Sequence, residues 1–358
     1  MDLHDIGFNN ELELYRTRNF LSGFETGRVV AEHKERYIVR TETAEYEAEV
    51  TGHLRYTART REDFPAVGDW VALTPFDAGN AIIHQIWPRS SVIKRQASGG
   101  TAEVQVIAAN IDYAFIVQAV DRDFNINRLE RYLTLCYSAH VKPIILLTKT
   151  DLADKGRIAD ILTHIQLRIS EVPIIAISNE THSGYETLVK MMEKSRTYCM
   201  LGSSGVGKST LLNNLSGKEI MQTSAISNST QKGRHTTSHR ELFILENGAI
   251  LIDNPGMREV GITDTTDGLE SVFGKIADLS PYCRFKDCTH TSEAGCAVIQ
   301  AVEKGEISPS SYENFLKLER EKAHFEASVA ERRKKDKDFG KFMKNYKKQM
   351  KGKSKPDF

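Results

Sequence analysis

The chain has 358 residues, 40% of them hydrophobic, and equal numbers (48 each) of basic and acidic side chains. This length and composition predict a globular protein of two or three domains. No run of 18 apolar residues could span a membrane and the first residues lack the pattern of a signal peptide, so we expect a cytoplasmic protein without a membrane role.

The first hundred residues contain β-prone sequence after a short leader. Residues 1–22 are polar and helix-prone, and we interpret them as an extension without an assigned role. In residues 23–100, short strands separated by Gly or Pro are typical of a small barrel. The β-prone runs are Val29–Val30, Tyr37–Val39, Tyr46–Val50, Trp70–Leu73 and Ala81–Ile83.

Residues 101–262 have a different pattern. Nearly continuous apolar runs indicate strands that are buried on both faces, as in a parallel sheet covered by helices. Helix-like stretches at 128–139 and 156–168 lie between them. This alternation predicts a doubly wound α/β domain. The apolar runs are Ile111–Val117, Pro143–Leu147, Pro173–Ile177 and Ala249–Ile252.

The strongest motif in this domain is a phosphate-binding loop. Gly202–Ser209 fits the pattern Gly-x4-Gly-Lys-Ser between a predicted strand and a predicted helix. Glycines let several backbone N–H groups point at one anion, and the helix N-terminus adds partial positive charge. Lys208 can neutralise the terminal phosphates during catalysis, and the Ser209 hydroxyl can bind Mg²⁺. The predicted nucleotide contacts are Gly202, Ser203, Ser204, Gly205, Val206, Gly207, Lys208, Ser209 and Thr210.

A second motif predicts the base. Thr148-Lys149-Thr150-Asp151 follows an apolar strand, and Ser178 ends the next one. The carboxylate of Asp151 can accept from N1–H and the N2 amine of guanine. Adenine lacks both donors and would leave the carboxylate unpaired, which is costly. The stem of Lys149 can cover the base, and a backbone N–H after Ser178 could reach guanine O6.

A third motif, Asp-x-x-Gly, ends the last strand of the domain. Asp253 would hold Mg²⁺ through water, and the N–H of Gly256 would meet the γ-phosphate. Between this motif and the phosphate loop lies a polar stretch that includes Gly233–Thr237. Thr236 or Thr237 could complete the Mg²⁺ shell, and the sequence does not decide between them.

The order of these motifs predicts a circular permutation. In Ras-like GTPases the phosphate loop comes first and the guanine motif late, whereas here Thr148–Asp151 precedes Gly202–Ser209. The same sheet can form when the old termini are joined and the chain is cut elsewhere, because termini often lie close together. The permutation places the switch segments directly before the C-terminal part.

The C-terminal part, residues 263–358, begins with a metal-binding pattern. Cys283, Cys288, His290 and Cys296 offer three thiolates and one imidazole at short spacing, which suits one structural, tetrahedral Zn²⁺. Disulfides are rare in the cytosol. The alternative is three buried thiols and a surface histidine. Helical sequence follows, and Ser310 with Glu313 predicts a helix start through a capping box.

The end of the chain is strongly basic. Residues 331–358 contain twelve Lys or Arg and four Asp or Glu, so the other 330 residues carry about −8. Such asymmetry favours a polyanionic partner. Phe339, Phe342 and Tyr346 could share a helix face and stack on bases. The alternative is that they dock on the protein's own zinc domain while the charges are solvated.

Together these motifs resemble the circularly permuted, ribosome small-subunit-dependent GTPase family (RsgA type). The resemblance implies an N-terminal OB-fold, a permuted P-loop GTPase domain and a mostly helical zinc-binding domain. It also implies a monomer that binds the small (30S) ribosomal subunit and its 16S rRNA, acts late in maturation of that subunit, and hydrolyses GTP when stimulated by it. The segments that carry it are PAVGDWV at 65–71, TKTDL at 148–152, GSSGVGKST at 202–210, GRHTT at 233–237, DNPG at 253–256 and CRFKDCTHTSEAGC at 283–296.

The resemblance also bears on catalysis. Ras-like enzymes orient the attacking water with a glutamine near the Asp-x-x-Gly motif, but Met257 is apolar. The family implies His235 as the substitute. Thr148 stands where many relatives have Asn, so we expect weaker nucleotide binding with guanine preference retained through Asp151; Asn254 stands for the usual Thr, with little expected effect.

Two other functions fit parts of the pattern. A nucleotide-regulated RNA-binding module with incidental hydrolysis would use the same motifs, and only stimulation by the small subunit separates it from an assembly GTPase. A P-loop ATPase or kinase is disfavoured by Asp151.

Overall fold

The structure is a computed structural model of the chain. It describes residues 2–33, 36–77, 79–96, 104–121, 124–169, 171–217, 240–253, 266–327 and 334. Within these ranges no helix is both long and apolar enough to cross a bilayer. His235, Thr236, Thr237, Gly256 and the basic tail apart from Lys334 lie outside the described residues.

The first five strands form a closed barrel. Strand β1 pairs antiparallel with both β2 and β4, and β3 runs parallel to β5, so the order is β1-β2-β3-β5-β4-β1. This is the Greek-key closure of an OB-fold, and the predicted barrel is confirmed. The strands are β1 (Glu25–His33), β2 (Arg36–Thr41), β3 (Glu45–Val50), β4 (Trp70–Asp77) and β5 (Asn80–Ile86).

The predicted α/β sheet is also confirmed. Its strand order is β10-β9-β8-β11-β13-β12, with β12 antiparallel to β13 and the other neighbours parallel. A separate antiparallel pair, β6 and β7, leads into it. These strands are β6 (Val92–Gln96), β7 (Val104–Ala109), β8 (Tyr113–Ala119), β9 (Lys142–Thr148), β10 (Ile174–Ala176), β11 (Thr197–Leu201), β12 (Arg240–Ile244) and β13 (Ile250–Asp253).

Helices cover both faces of this sheet. Alternate residues of the strands enter two different cores: Ile116 and Ile145 pack on the side of α3 and α4, and Phe115 and Ile144 on the side of α5 and α6. Burial on both faces explains why these strands read as unbroken apolar runs. The helices of the first 217 residues are α1 (Asn10–Arg18), α2 (Gly52–Thr57), α3 (Ile126–Ser138), α4 (Lys155–Arg168), α5 (Tyr185–Met191) and α6 (Lys208–Ser216).

The barrel and the α/β sheet are one continuous sheet. Strand β1 of the barrel pairs with β12 through Ala31–Glu241 and Glu32–Arg240, which joins eleven strands. This pairing was not predicted from the sequence, in which the two regions have different patterns and read as separate units.

The N-terminal extension has a structural role. Ile6, Phe8 and Leu21 are buried against Trp70 and Trp87 in a core of their own. The segment, which the sequence predicted only as an extension without an assigned role, is therefore part of the folded structure, although Leu14 and Phe20 remain exposed.

The C-terminal helices form a small core around the metal-binding pattern. Leu269, Ile276, Val298 and Leu318 are among its buried residues. The elements are α7 (Thr266–Val272), α8 (Gly274–Leu279), α9 (Ala297–Glu303) and α10 (residues 309–327).

The expected start of α10 was wrong by two residues. The hydroxyl of Ser308, not Ser310, accepts from a helix N–H, that of Ser311 at 3.2 Å. Pro309 occupies the first helical position, where its missing N–H costs nothing. Ser310 lies inside the helix and accepts from Arg168 at 3.0 Å.

Candidate nucleotide site and metal cluster

The predicted nucleotide motifs meet at one edge of the sheet. Strands β8, β9 and β11 run parallel, with Ala119 opposite Thr148 and Ile116 opposite Leu201. Their carboxyl ends therefore lie side by side, and the loops that follow them form the crevice where α/β sheets bind ligands.

The phosphate loop has the backbone that an anion cradle requires. Gly202, Gly205 and Gly207 have φ angles of 155°, 82° and 94°, which L-residues with a side chain rarely adopt. A Cβ on Gly202 would lie 2.5 Å from the carbonyl oxygen of Val117. Glycine is therefore needed at this position for close approach as well as for conformation.

The lysine of the phosphate loop, Lys208, contacts the backbone of the loop itself. Lys208 begins α6, and its Nζ donates to the carbonyls of Gly202 at 2.7 Å and Ser203 at 2.6 Å. These contacts hold the ammonium at the mouth of the loop, where it can exchange carbonyl for phosphate oxygens. Within the same motif, Ser204 and Gly205 are exposed and Val206 is buried, while Ser209 and Thr210 are half-buried in α6.

Thr148 contacts the phosphate loop. The residue is fully buried, and its hydroxyl donates to the carbonyl of Val206 at 2.6 Å. The structure thus uses this hydroxyl to tie the end of β9 to the phosphate loop. Thr150 follows in a short 3₁₀ helix, Thr150–Leu152, where its N–H donates to the carbonyl of Ile177 at 3.3 Å.

The carboxylate of Asp151 is held in place. Ser178 donates its hydroxyl to Asp151 Oδ1 at 2.6 Å and accepts from the N–H groups of Glu180 and Thr181. A carboxylate has about four acceptor positions, so Asp151 can still accept two hydrogen bonds from a base. Lys149 adopts a left-handed conformation, with φ of 58°.

Four residues at this edge were not predicted as site residues. The carboxylate of Asp121 pairs with Lys149 Nζ at 2.9 Å and fixes the lysine stem that was expected to cover the base. Asn179, Tyr185 and Asn214 form a hydrogen-bonded group beside the phosphate loop. None of them belongs to a short motif, so only the three-dimensional arrangement reveals them.

The predicted Mg²⁺ ligands are placed on neighbouring elements. Asp253 is the last residue of β13, and β13 runs parallel to β11 with Ile252 opposite Cys199. This register places the end of β13 beside the end of β11, the strand that leads into the phosphate loop and α6.

The four predicted metal ligands converge. The Sγ atoms of Cys283 and Cys296 are 3.8 Å apart, and His290 Nδ1 lies 3.5 Å from the first and 3.4 Å from the second. With Cys288, all four ligand atoms lie within 4.8 Å of one another. Tetrahedral zinc with Zn–S of about 2.3 Å and Zn–N of about 2.0 Å would space these atoms by about 3.5 to 3.8 Å. The cluster can therefore hold a metal ion of this size.

Surrounding hydrogen bonds fix the histidine tautomer. Ser280 donates its hydroxyl to the carbonyl of Ile276 at 2.8 Å, so towards His290 Nε2, 3.0 Å away, it can only accept. Nε2 therefore carries the proton, and Nδ1 presents a lone pair to the thiols, as in metal sites where the second ring nitrogen donates to a neighbour. Burial lowers the pKa of His290, which favours the neutral ligand form.

Fold and motif order together define a class: a circularly permuted P-loop GTPase with a Cys₃His cluster. The model of the RsgA GTPase family matches residues 86–263. The small ribosomal subunit biogenesis GTPase RsgA 1 of Bacteroides thetaiotaomicron is 41% identical to this chain over 90% of each. The chain therefore belongs to the RsgA GTPase family, and it is a hydrolase that acts on GTP.

Solved structures agree with this assignment. YjeQ from Thermotoga maritima superposes with a TM-score of 0.61 at 26% identity, over 85% of this chain and 98% of its own. YloQ, described as a circularly permuted GTPase, superposes with a TM-score of 0.58 over 82% of this chain and 93% of its own. At 24% identity this likeness bears on the fold alone. The permuted fold predicted from motif order is confirmed.

Proposed function

We propose that the chain is a GTPase that binds the small (30S) ribosomal subunit and its 16S rRNA in the cytoplasm, as a monomer, and acts late in biogenesis of that subunit. The observation that carries the nucleotide part is the joint placement of Asp151 and the phosphate loop at one sheet edge. The subunit follows from the curated relative, a small ribosomal subunit biogenesis GTPase.

Each motif has a proposed role in this function. Asp151 accepts from the guanine edge, Lys149 covers the base, and the N–H groups of Gly202–Thr210 bind the phosphates. Ser209 and Asp253 hold Mg²⁺, with Thr236 or Thr237 completing its shell. Bound Mg²⁺ would neutralise charge that develops on the phosphates. Gly256 contacts the γ-phosphate and His235 orients water; both lie outside the described residues.

The parts of the chain outside the GTPase domain are proposed to bind the partner. The proposed domain bounds are residues 1–22, 23–100, 101–262 (the GTPase domain) and 263–358, and the first unit packs on the second. The metal cluster is proposed to hold one structural Zn²⁺, because three thiolates and an imidazole are soft or borderline ligands. The basic tail is proposed to neutralise rRNA phosphates.

The deciding experiment measures GTP hydrolysis with and without purified small subunits. We expect slow turnover alone and a stimulation of at least tenfold by the small subunit, with none by the large subunit. Lys208→Ala should abolish hydrolysis in both conditions. Equal turnover with and without small subunits would contradict the assembly role and favour a module in which hydrolysis is incidental.

Base recognition has its own test. Asp151→Asn should weaken GDP binding at least tenfold and allow xanthosine diphosphate to bind, because an amide can donate to the xanthine C2 carbonyl. Equal affinity of the unmutated protein for GDP and ADP would refute the assignment of Asp151.

A further inference from the structure

Asn179 links the predicted base-binding loop to the phosphate loop. It directly follows Ser178, whose hydroxyl holds Asp151, and its own Nδ2 donates to the carbonyl of Gly207 at 2.9 Å. A Cβ on Gly207 would lie 2.7 Å from that Nδ2. The glycine therefore makes room for the contact as well as for the turn.

The orientation of the Asn179 amide is set by a second pair of residues. The hydroxyl of Tyr185 donates to Asn179 Oδ1 at 2.8 Å and accepts from Asn214 Nδ2 at 3.0 Å. Asn214, on α6, also donates to the backbone carbonyl of Asn179 at 3.0 Å. Burial raises the pKa of Tyr185 to about 12, so the hydroxyl keeps its proton and Nδ2 of Asn179 must face Gly207.

These contacts determine where two phosphate-loop N–H groups point. In a planar trans peptide the C=O and the following N–H point in opposite directions. The carbonyl of Val206 accepts a hydrogen bond from the Thr148 hydroxyl. The carbonyl of Gly207 accepts hydrogen bonds from the Asn179 amide and from the N–H of Leu211. The N–H groups of Gly207 and Lys208, which follow these two carbonyls in the chain, therefore point away from Thr148 and Asn179.

We propose that Asn179 is a positioning residue that couples guanine recognition to phosphate binding. Its backbone belongs to the loop that a guanine base would immobilise, and its side chain holds the last glycine of the phosphate loop. A bound base would thus strengthen phosphate binding beyond its own contacts. The inference rests on the proposed nucleotide site.

A double-mutant cycle tests the coupling, read by the Kd for a fluorescent GDP. Asn179→Ala should raise Kd about tenfold, the equivalent of about 1.4 kcal/mol for a lost hydrogen bond, with kcat changed less than twofold. In the Asp151→Asn background the same change should raise the Kd for GDP less than threefold. With xanthosine diphosphate, which restores base recognition in that background, the tenfold effect should return.

Controls separate coupling from simple loosening of the site. Glu180→Ala alters an exposed side chain in the same loop and should leave Kd within twofold. Tyr185→Phe keeps the ring but removes the hydroxyl that orients Asn179, and should raise Kd about threefold.

Two results would overturn the inference: an Asn179→Ala Kd within twofold of the unmutated protein, or a tenfold penalty that is the same whether or not the base is recognised. Both leave the nucleotide site itself standing. By contrast, failure of the unmutated protein to bind GDP, or binding that is insensitive to Lys208→Ala, would remove the proposed function.

Discussion

The central α/β domain is joined to its two neighbours in different ways. On the barrel side, strand β1 pairs directly with β12, and a buried arginine from β1 crosses the junction. On the side of the metal cluster, helices α7 and α10 pack on α3, and no strand pairing joins the described residues there; side-chain contacts to α10 contribute much of this junction.

The buried arginine is Arg28, which is 1% exposed. Its guanidinium donates to the carbonyls of Ile6 (2.6 Å), Gly68 (3.2 Å) and Asn110 (3.0 Å) and to the hydroxyl of Thr197 (3.0 Å). One side chain thereby joins the N-terminal segment, the barrel and the α/β sheet. Burial lowers the pKa of Arg28 to about 10, which leaves it charged at neutral pH.

The other junction rests on α3. Asn314 of α10 donates to Glu130 Oε2 at 2.6 Å, and Glu130 pairs with Arg168 at 2.6 Å. Arg131 pairs with Glu321 at 2.6 Å nearer the surface. Gly268 of α7 packs so closely on α3 that a Cβ there would clash with backbone.

The two junctions therefore depend on different kinds of contact. The barrel junction consists of strand pairing and of a buried arginine that donates mostly to backbone carbonyls, so we expect it to unfold together with the central sheet. The α10 junction depends on side-chain contacts, of which the Asn314–Glu130 pair is buried and the Arg131–Glu321 pair is partly exposed. The chain's two tryptophans, Trp70 and Trp87, both lie at the barrel junction, so their emission reports on one side only.

The largest separation of the two sides should come from metal removal. Structural zinc contributes on the order of 10 kcal/mol in zinc-finger peptides. A strong chelator should therefore release about one zinc per chain and unfold the helices around Cys283–Cys296, with a loss of helical circular dichroism. Tryptophan emission should not change; simultaneous loss of both signals would show that the two junctions are not independent.

Arg28→Met should be the most damaging single change on the barrel side. It removes four hydrogen bonds. The carbonyl of Gly68 keeps the Asn110 amide as a donor, but the other three acceptors lose the guanidinium, and we expect the free energy of unfolding to fall by about 3 kcal/mol or more. Urea unfolding followed by tryptophan emission measures this. Arg28→Lys, which keeps the charge but not the planar fork, should recover part of the loss; an unchanged midpoint for Arg28→Met would contradict the assigned role.

Asn314→Ala should loosen only the α10 side. It removes a hydrogen bond to a buried carboxylate, which is worth about 2 kcal/mol. Hydrogen exchange in α10 should accelerate accordingly while the tryptophan-detected midpoint stays constant. The exposed neighbour Glu313 supplies a matched control, since Glu313→Ala should alter neither measurement.

The smallest effect is expected at the outer ion pair. Arg131 and Glu321 are 29% and 32% exposed, and such pairs contribute about 0.5 kcal/mol. Glu321→Gln should therefore accelerate hydrogen exchange in α10 only slightly. High salt screens the ion pair and should remove the difference between the variant and the unmutated protein. A loss as large as that of Asn314→Ala would show that this pair is more important than its exposure indicates.

The sequence predicted what depends on local patterns. Unbroken apolar runs identified the parallel sheet, glycine spacing the phosphate loop, and Cys–His spacing the metal cluster. Motif order alone predicted the permutation. The first three signals each lie within a few neighbouring residues and the motif order can be read along the chain, which is why a single sequence contains them.

Contacts between distant residues were not predictable in the same way. The pairing of β1 with β12 joins residues about 200 positions apart, and Asn179 contacts Gly207 through a side chain that no motif specifies. Arg28 was missed because a lone arginine in a β-prone run is usually solvated. The role of residues 1–22 was hidden by polar composition, although Ile6 and Phe8 were the available signal.

The pairing of β1 with β12 has a consequence for solubility. A bare sheet edge is a template for association with other chains. Here the barrel covers the edge at β12, and the opposite edge is β10, only three residues long. A fragment that begins after the barrel would keep every nucleotide motif, but its strand β12 would be an unpaired edge to which other protein chains could add a strand. The barrel thus covers a sheet edge that would otherwise be open to strand addition.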